Sequence, residues 1–109
     1  MRSKYGNRKT IMFGIEFDSK REAERYMELI AMQQRGEITG LECQKTYVLA
    51  DSVIVQGRKR PPLRYVADFV YVRDGQTITE DVKGMLTDVY KIKRHLMRSV
   101  HGIEISEVK

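Results

Sequence analysis

The chain has 109 residues and a mass of 12.7 kDa, which supports one domain over residues 1–109 but leaves too little buried surface for two. Its 20 Lys and Arg outnumber its 15 Asp and Glu, and its single cysteine excludes both a disulfide framework and a cysteine-based zinc cluster. No apolar run reaches the ~20 residues that a membrane-spanning helix needs. We therefore expect a cytoplasmic protein, and the net charge of +5 favours a polyanionic partner.

The first third of the chain predicts a basic arm, a short strand or hairpin, and a helix. Residues 1–10 carry four cations and no acid, and residues 11–17 alternate loosely between apolar and polar side chains. Ser19 and Glu22 then form a capping box, in which the Ser19 hydroxyl accepts from a first-turn amide and Glu22 reaches back to the Ser19 amide. Apolar residues at helical spacing follow up to Gly36, and they predict a helix over 20–34.

The remainder predicts strands, a helix and a last strand. Strands are expected over 41–50 and 53–56, then a basic loop over 57–62 that ends in two prolines. The apolar segment 65–72 is typical of a central strand, and Asp74-Gly75 predicts a hairpin turn that leads into a strand over 77–83. A helix over 86–99 and a strand over 103–108 complete an α/β (α+β) order of αβββαβ. The expected core side of the second helix consists of Leu86, Val89, Ile92, Leu96 and Val100.

Two acids of the predicted hairpin should face each other. A two-residue loop at Asp74-Gly75 pairs Arg73 with Gln76, and the same register places Asp68 opposite Asp81, with Lys83 on the same face. Opposed buried carboxylates are unstable unless positive charge offsets them. Two interpretations remain open. Lys83 alone could bridge the two acids as a structural ion pair, or a divalent cation such as Mg²⁺ or Mn²⁺ could bind between them.

Three further acids lie close to this hairpin in the predicted arrangement. Glu22 has a sufficient structural role in the capping box, but it also borders the buried stripe of the helix, from which it could point at a site over the sheet. Glu24 borders the other side of that stripe and is the alternative helix acid. Alternation sends Glu80 to the opposite face from Asp81, which makes Glu80 the weaker ligand candidate.

The order of these motifs resembles the PD-(D/E)XK nuclease superfamily. The resemblance rests on the helix opening at 17–23, on Asp68 in its strand, on Asp81-Val82-Lys83-Gly84 after a hairpin, and on the basic helix that follows. The resemblance covers nearly the whole chain. The chain looks like a small phage-encoded, endonuclease-like family of formerly unknown function, and its layout is similar to that of the phage Holliday-junction endonuclease. Ala67 stands where the motif has Pro, and Asp81 where Glu is commoner.

The resemblance implies a Mg²⁺- or Mn²⁺-dependent endonuclease that hydrolyses DNA phosphodiester bonds. By position, Asp68 and Asp81 resemble the metal ligands, with Glu22 and the carbonyl of Val82 as further ligands, and Lys83 resembles the catalytic lysine. Gln44 could line the same site. Flanking phosphates would contact a set of basic residues: Arg58, Lys59, Arg60, Lys91, Arg94 and Arg98.

No base-reading module is evident, so we expect cutting that is selective for DNA structure, as in a Holliday-junction resolvase that processes phage DNA in the host cytoplasm. A homodimer would supply two sites for two strands. The alternative is a non-catalytic nucleic-acid-binding domain that keeps the nuclease fold.

Overall fold

The computed structural model describes residues 9–109 as a mixed α+β protein with two helices and a mixed central sheet. Along the chain lie β1 (Thr10–Met12), β2 (Ile15–Phe17), α1 (Lys20–Gln34), β3 (Thr39–Ala50), β4 (Val53–Val55), β5 (Arg58–Arg60), β6 (Leu63–Arg73), β7 (Gln76–Val82), α2 (Asp88–His101) and β8 (Ser106–Val108). The predicted basic arm lies outside the described residues, apart from Lys9 and Thr10.

The central sheet has the strand order β3-β6-β7-β8, and β1-β2 and β4-β5 form separate two-stranded hairpins. β6 lies between two antiparallel neighbours, which confirms its prediction as a central strand. β8 pairs with β7 in parallel, because α2 carries the chain back to the end at which β7 began. The helices and sheet strands therefore follow one another as α1, β3, β6, β7, α2 and β8.

Two apolar clusters hold the helices on the sheet. Between the two clusters, the alternation of side chains along the strands shifts by one residue. Phe69 and Tyr71 of β6 pack in the cluster that contains Ala23 and Leu29 of α1. Tyr65 and Ala67 of the same strand pack in the other cluster, with Tyr90 and Met97 of α2. All four strand positions are odd, so strict alternation would place them on one face. The phase change falls between Ala67 and Phe69, at Asp68.

The neighbouring strand shows the same change. Cys43 contacts the α1 cluster and Tyr47 contacts the α2 cluster, although both positions are odd. Gln44 lies between them in β3, with a left-handed φ of 56°, and pairing on either side places it across from Asp68. Asp68 therefore sits at the irregular centre of the sheet, between the surfaces that the two helices cover.

The predicted bounds of the first helix are confirmed, and the capping box differs in one bond. The Glu22 N–H donates to Ser19 Oγ at 3.2 Å, as predicted. The Glu22 carboxylate, however, accepts from the Asp18 N–H at 3.0 Å and not from that of Ser19. The side chain thus reaches one residue further back than a standard capping box requires, and this holds it at the end of α1 that faces the sheet.

The predicted basic loop over 57–62 is wrong in part. Arg58–Arg60 forms β5, which pairs with β4 through a two-residue turn at Gln56 and Gly57, both with positive φ. The run of three cations hides the alternation that identifies a strand. Only Pro61 and Pro62, which lack backbone N–H groups, separate β5 from β6.

The predicted buried face of α2 is also wrong. The helix begins at Asp88, after the Thr87 N-cap, and its buried residues are Tyr90 and Met97. Val89, Ile92, Val100 and the preceding Leu86 are exposed, and Leu96 packs only at the edge of the core. The helix therefore contacts the sheet about 100° away from its most apolar stripe. No helix within residues 9–109 has the length and apolar character to cross a membrane.

Candidate active site

The β6-β7 hairpin brings the two predicted aspartates together. Asp74 and Gly75, with φ of 52° and 76°, form a two-residue turn of the type I′ kind. The pairing runs from Arg73↔Gln76 to Phe69↔Glu80, which confirms the predicted register. The next position holds Asp68 and Asp81. There the Val82 N–H donates to Asp68 Oδ2 at 2.7 Å, so the carboxylate of Asp68 lies against the backbone of β7.

Asp68 lies in an environment that disfavours its charge. Burial is the main cause, and a hydrogen bond with Asp81 and the negative charge of Glu22 add to it, raising the pKa of Asp68 to about 9. The Val82 N–H acts in the opposite direction but does not compensate. In the absence of a cation, these surroundings therefore favour the neutral, protonated form of Asp68.

Asp81 is almost completely buried and has two partners besides Asp68. The Tyr65 hydroxyl donates to Asp81 Oδ2 at 2.6 Å, and Lys83 Nζ lies 3.2 Å from the same oxygen. Burial and the bond to Asp81 raise the pKa of Tyr65, which keeps this hydroxyl a donor. The predicted ion pair between Lys83 and Asp81 is thus present, but the single positive charge of Lys83 faces two carboxyl groups.

Lys83 is held from a second side by α2. Its Nζ lies 4.2 Å from the centre of the Tyr90 ring, within the range of a cation–π contact. The Tyr90 hydroxyl donates to Glu107 of β8 at 2.6 Å, and Arg94 Nη1 donates to the same carboxylate oxygen at 2.9 Å. A chain of contacts from α2 and β8 therefore fixes the ammonium group beside Asp81.

Glu22 approaches the aspartates from the first turn of α1. Burial raises the pKa of Glu22 most, the Asp18 N–H lowers it, and a hydrogen bond with Asp68 lowers it further. Glu22 is therefore the helix acid that adjoins the pair. Glu24, the alternative, is exposed, and no hydrogen bond links it to either aspartate in the described chain.

Two other polar candidates are engaged elsewhere. Glu80 is buried on the opposite face, as predicted, where both its oxygens accept from the Arg25 guanidinium at 2.8 Å and one also accepts from the Tyr71 hydroxyl. The side chain of Gln44 donates to the Glu16 carbonyl at 3.0 Å, so it does not line the site.

An open cavity of about 820 Å³ lies beside the acids. The start of α1 forms one wall with Asp18, Arg21 and Glu22, and the end of β7 forms the other with Val82 and Lys83. Arg21 and Lys83 give the cavity positive charge next to the Glu22 carboxylate. A phosphate group that entered it would meet cations and acids together.

The oxygen atoms of these acids are ligands that suit a hard divalent cation, but they do not form a complete metal-binding site. Asp68, Asp81 and Glu22 supply carboxylate oxygens, and the buried pair lacks one positive charge. Within residues 9–109, no three Asp, Glu, His or Cys side chains are already arranged as metal ligands. If a cation bound here, Asp68, Asp81 and Glu22 would be the residues that hold it, and its charge would offset that of the pair.

The predicted phosphate contacts divide into two groups. Arg94 is bound to Glu107, and Arg98 donates to the Gly102 carbonyl at the end of α2, so both are partly engaged within the chain. Lys91 is exposed on the same helix, and Arg58, Lys59 and Arg60 are exposed on β5. The β5 cations are thus the most available of the set.

Sequence reasoning missed Tyr65 and Tyr90, which contact Asp81 and Lys83. Tyr65 lies three residues before Asp68 in an apolar strand, where a buried hydroxyl needs a partner, and that requirement is a usable signal. No such signal identifies Tyr90, because its burial depends on the unexpected orientation of α2.

A family model described as protein of unknown function (DUF1064) matches residues 2–106. The chain belongs to this family. No curated protein and no solved structure gave a significant match. The description of DUF1064 names no activity, so a function for this member has to be argued from its site.

Proposed function

We propose that the chain is a metal-dependent DNA endonuclease of the PD-(D/E)XK type. The observation that carries the proposal is the buried pair Asp68 and Asp81 with Lys83 Nζ 3.2 Å from Asp81 Oδ2. A buried pair of carboxyl groups that disfavours a second negative charge can exchange a proton for a cation. The succession α1, β3, β6, β7, α2, β8 supports the assignment, because the superfamily shares it.

In this proposal Asp68, Asp81 and Glu22 hold a Mg²⁺ or Mn²⁺ ion, with the Val82 carbonyl as a further ligand. When bound, the ion supplies charge that polarises a phosphodiester and favours attack by water. Lys83 retains free N–H groups beyond its contact with Asp81, and these can donate to a phosphate oxygen as negative charge develops on it. Hydrolysis breaks one P–O bond and adds water across it.

Basic residues around the site would hold the DNA. Lys91, Arg94, Arg98 and the three cations of β5 can bind phosphates without reading bases, which favours recognition of DNA structure over sequence. A branched DNA such as a Holliday junction fits this expectation, and two subunits related by a two-fold axis would supply one site for each strand.

The second candidate is a nucleic-acid-binding domain that keeps the fold without cleaving. The observation that favours it is the incomplete ligand set among residues 9–109, together with the exposed cations of β5. It predicts salt-sensitive DNA binding and no cleavage with any divalent metal.

Cleavage of a DNA panel separates the two candidates. Linear, nicked, flapped and four-way substrates are incubated with Mg²⁺ or Mn²⁺ and the wild type, Asp68→Asn, Lys83→Ala or Lys45→Ala. Lys45 is a surface lysine paired with Glu42 on β3 and serves as the matched control. We expect Asp68→Asn and Lys83→Ala to lose at least about 100-fold in cleavage rate, as removal of a charge-stabilising group does, and Lys45→Ala to match the wild type.

Metal binding is measured separately by calorimetry, because a binding domain need not take up the ion. The wild type should bind Mn²⁺, and Asp68→Asn should not. DNA binding without cleavage of any substrate would establish the second candidate, and cleavage that survives Lys83→Ala would contradict the assigned role of that lysine.

A further inference from the structure

The β4-β5 hairpin is a projecting ribbon that the rest of the protein does not use. Val53, Ile54 and Val55 are exposed although apolar, and all three residues of β5 are exposed cations. No other helix or strand of the described chain packs extensively against it. Two-stranded hairpins of this size are marginally stable alone, so an unpacked one needs another source of order.

That order comes from β3 and β6, which the hairpin continues. The β3-β6 pairing ends at Ala50↔Leu63, and the hairpin resumes in the same register at Val53↔Arg60. Pro61 and Pro62 fix the backbone between the two ladders. The result is one long antiparallel ribbon whose distal end leaves the body, and the described chain is correspondingly elongated at 52 × 37 × 24 Å.

The two faces of the hairpin differ in chemistry. Directly paired residues share a face, so Arg58 and Arg60 lie with Val55 and Val53 on one side. Lys59 lies with Ile54 on the other. One face thus presents two guanidinium groups beside two small apolar side chains, and the opposite face presents a single ammonium.

We propose that the Arg58/Arg60 face of this hairpin docks in the major groove of duplex DNA beside the cleavage site. The choice of DNA as the partner rests on the proposed function. The shape and charge of the hairpin surface support the same choice independently. The major groove is about 12 Å wide and admits a two-stranded ribbon, whose arginines can reach the phosphates on its two edges. The charge is complementary, since the hairpin strands carry three cations and no acid.

The position of the hairpin along β6 sets where it touches the DNA. Arg60 precedes Asp68 by eight positions, and an extended chain spans at most about 28 Å over that length. Arg58 precedes Asp68 by ten positions, which allows about 35 Å. At about 3.4 Å per base pair, the backbone of the two arginines therefore lies within about ten base pairs of the linkage at Asp68.

Binding is tested with the full chain and no divalent metal, so that affinity is read without cleavage. Fluorescence anisotropy on a duplex of about 30 base pairs, longer than the reach of the hairpin, compares the wild type with Arg58→Ala/Arg60→Ala, with Lys59→Ala, and with Arg73→Ala. Arg73 is an exposed arginine at the opposite end of β6 and is the matched control. These positions are exposed, and circular dichroism checks that each variant is folded.

We expect the double variant to bind at least about tenfold more weakly and to lower the slope of log K against log salt by about 1.8, the value for two lost phosphate contacts. Lys59→Ala should lose less than about threefold and Arg73→Ala nothing. An equal loss of affinity for Lys59→Ala and for the double variant would overturn the assigned face. An unchanged affinity of the double variant would overturn the docking itself.

Three further arms separate this proposal from its alternatives. Duplex RNA, whose major groove is deep and narrow, should bind more weakly than DNA does. The affinity for RNA should change little in the double variant. Vesicles that contain phosphatidylserine should not bind; hairpin-dependent binding to vesicles in place of DNA would overturn the proposal. Shortening the duplex stepwise should remove the effect of the double variant once the DNA no longer reaches the hairpin.

Failure of this proposal and failure of the nuclease assignment are distinguishable. If the wild type cleaves DNA and the double variant binds as tightly as the wild type, the hairpin proposal alone is wrong. If nothing is cleaved but the double variant binds weakly, the hairpin proposal stands and the nuclease assignment is wrong.

Discussion

Asp68 and Asp81 place two carboxylates in a space that tolerates a single negative charge. Their positions could be predicted because a two-residue turn fixes the pairing of a hairpin, and Asp74-Gly75 is a strong turn signal. The residues that contact the aspartates and Lys83 could not be predicted. Tyr65 contacts Asp81 only because β6 changes phase at Asp68, and Tyr90 contacts Lys83 only because α2 turns its tyrosine toward the sheet.

The first prediction concerns Asp68→Asn without metal. The pKa of Asp68 is about 9 in the folded protein and about 3.9 in an unfolded chain. The folded state therefore binds the extra proton, and stability falls as pH rises from about 4 to 9. The amide that replaces the carboxyl would still accept from the Val82 N–H and would donate to Asp81 without a charge. We expect the free energy of unfolding of Asp68→Asn to rise relative to that of the wild type by about 1.4 kcal/mol per pH unit, or about 4 kcal/mol between pH 5 and pH 8.

Urea unfolding in EDTA at several pH values checks this. Asp51→Asn, at an exposed position, is the control and should leave the pH profile of the wild type unchanged. A variant Asp68→Asn that is less stable than the wild type at pH 8 would show that the folded protein does not favour the protonated form of Asp68.

The second prediction concerns Tyr90 as a positioning residue for Lys83. Tyr90→Phe keeps the ring under the ammonium and loses only the bond to Glu107, whereas Tyr90→Leu removes the ring. We expect Tyr90→Leu to lower kcat about tenfold, the loss of a contact worth about 1–2 kcal/mol, with KM unchanged. Tyr90→Phe should retain most of kcat. Equal losses in both variants would assign the effect to the hydroxyl. Assays run well below the Tm of each variant.

At the scale of elements, the sequence predicts those strands and helices whose signals are local. α1 begins and ends where its cap and Gly36 indicate, and the β6-β7 hairpin follows its turn. β5 was missed because three cations in a row show no alternation. The face of α2 was mistaken because burial there follows contacts made by Tyr90 and Met97 with distant strands, and helical periodicity does not report those contacts.

The third prediction concerns the contact that fixes α1 to β7. Glu80 is fully buried, and the Arg25 guanidinium supplies its only positive partner in the described chain. Arg25→Met leaves an uncompensated buried carboxylate, so we expect a loss of about 3 kcal/mol in the free energy of unfolding. Arg25→Met/Glu80→Gln should recover part of that loss, because the remaining side chain is neutral.

Chemical denaturation of the two single variants, the double variant and the wild type forms the cycle that checks this. Arg21→Met is the control, since Arg21 pairs with Glu28 on the surface and should cost less than about 1 kcal/mol. A double variant less stable than Arg25→Met would mean that Glu80 stabilises the fold without its arginine.

At the scale of the whole molecule, one chain offers one site and an exposed apolar flank on α2. Val89, Ile92 and Val100 of that helix are each more than half exposed, beside Leu86 at its start. Exposure of these apolar side chains to water is unfavourable, and a second copy of the chain would remove it by covering them. A two-fold pair would also present two sites to two DNA strands.

The fourth prediction is therefore a dimer in sedimentation, with or without DNA. Ile92→Asp should shift the protein to monomers without loss of fold, because the side chain makes no core contact in the monomer. Lys20→Asp, a charge change on the other helix, should leave the dimer intact. A wild type that sediments as a monomer at all concentrations would contradict this prediction.

The parallel pairing of β8 with β7 also bears on how the molecule assembles. Each antiparallel hairpin closes over a few residues, whereas β8 joins its partner only after the chain has passed through the whole of α2. The two aspartates can thus meet once the β6-β7 hairpin closes, whereas Glu107 reaches Tyr90 and Lys83 only when β8 pairs with β7. The finished site therefore exists only once the last strand has docked.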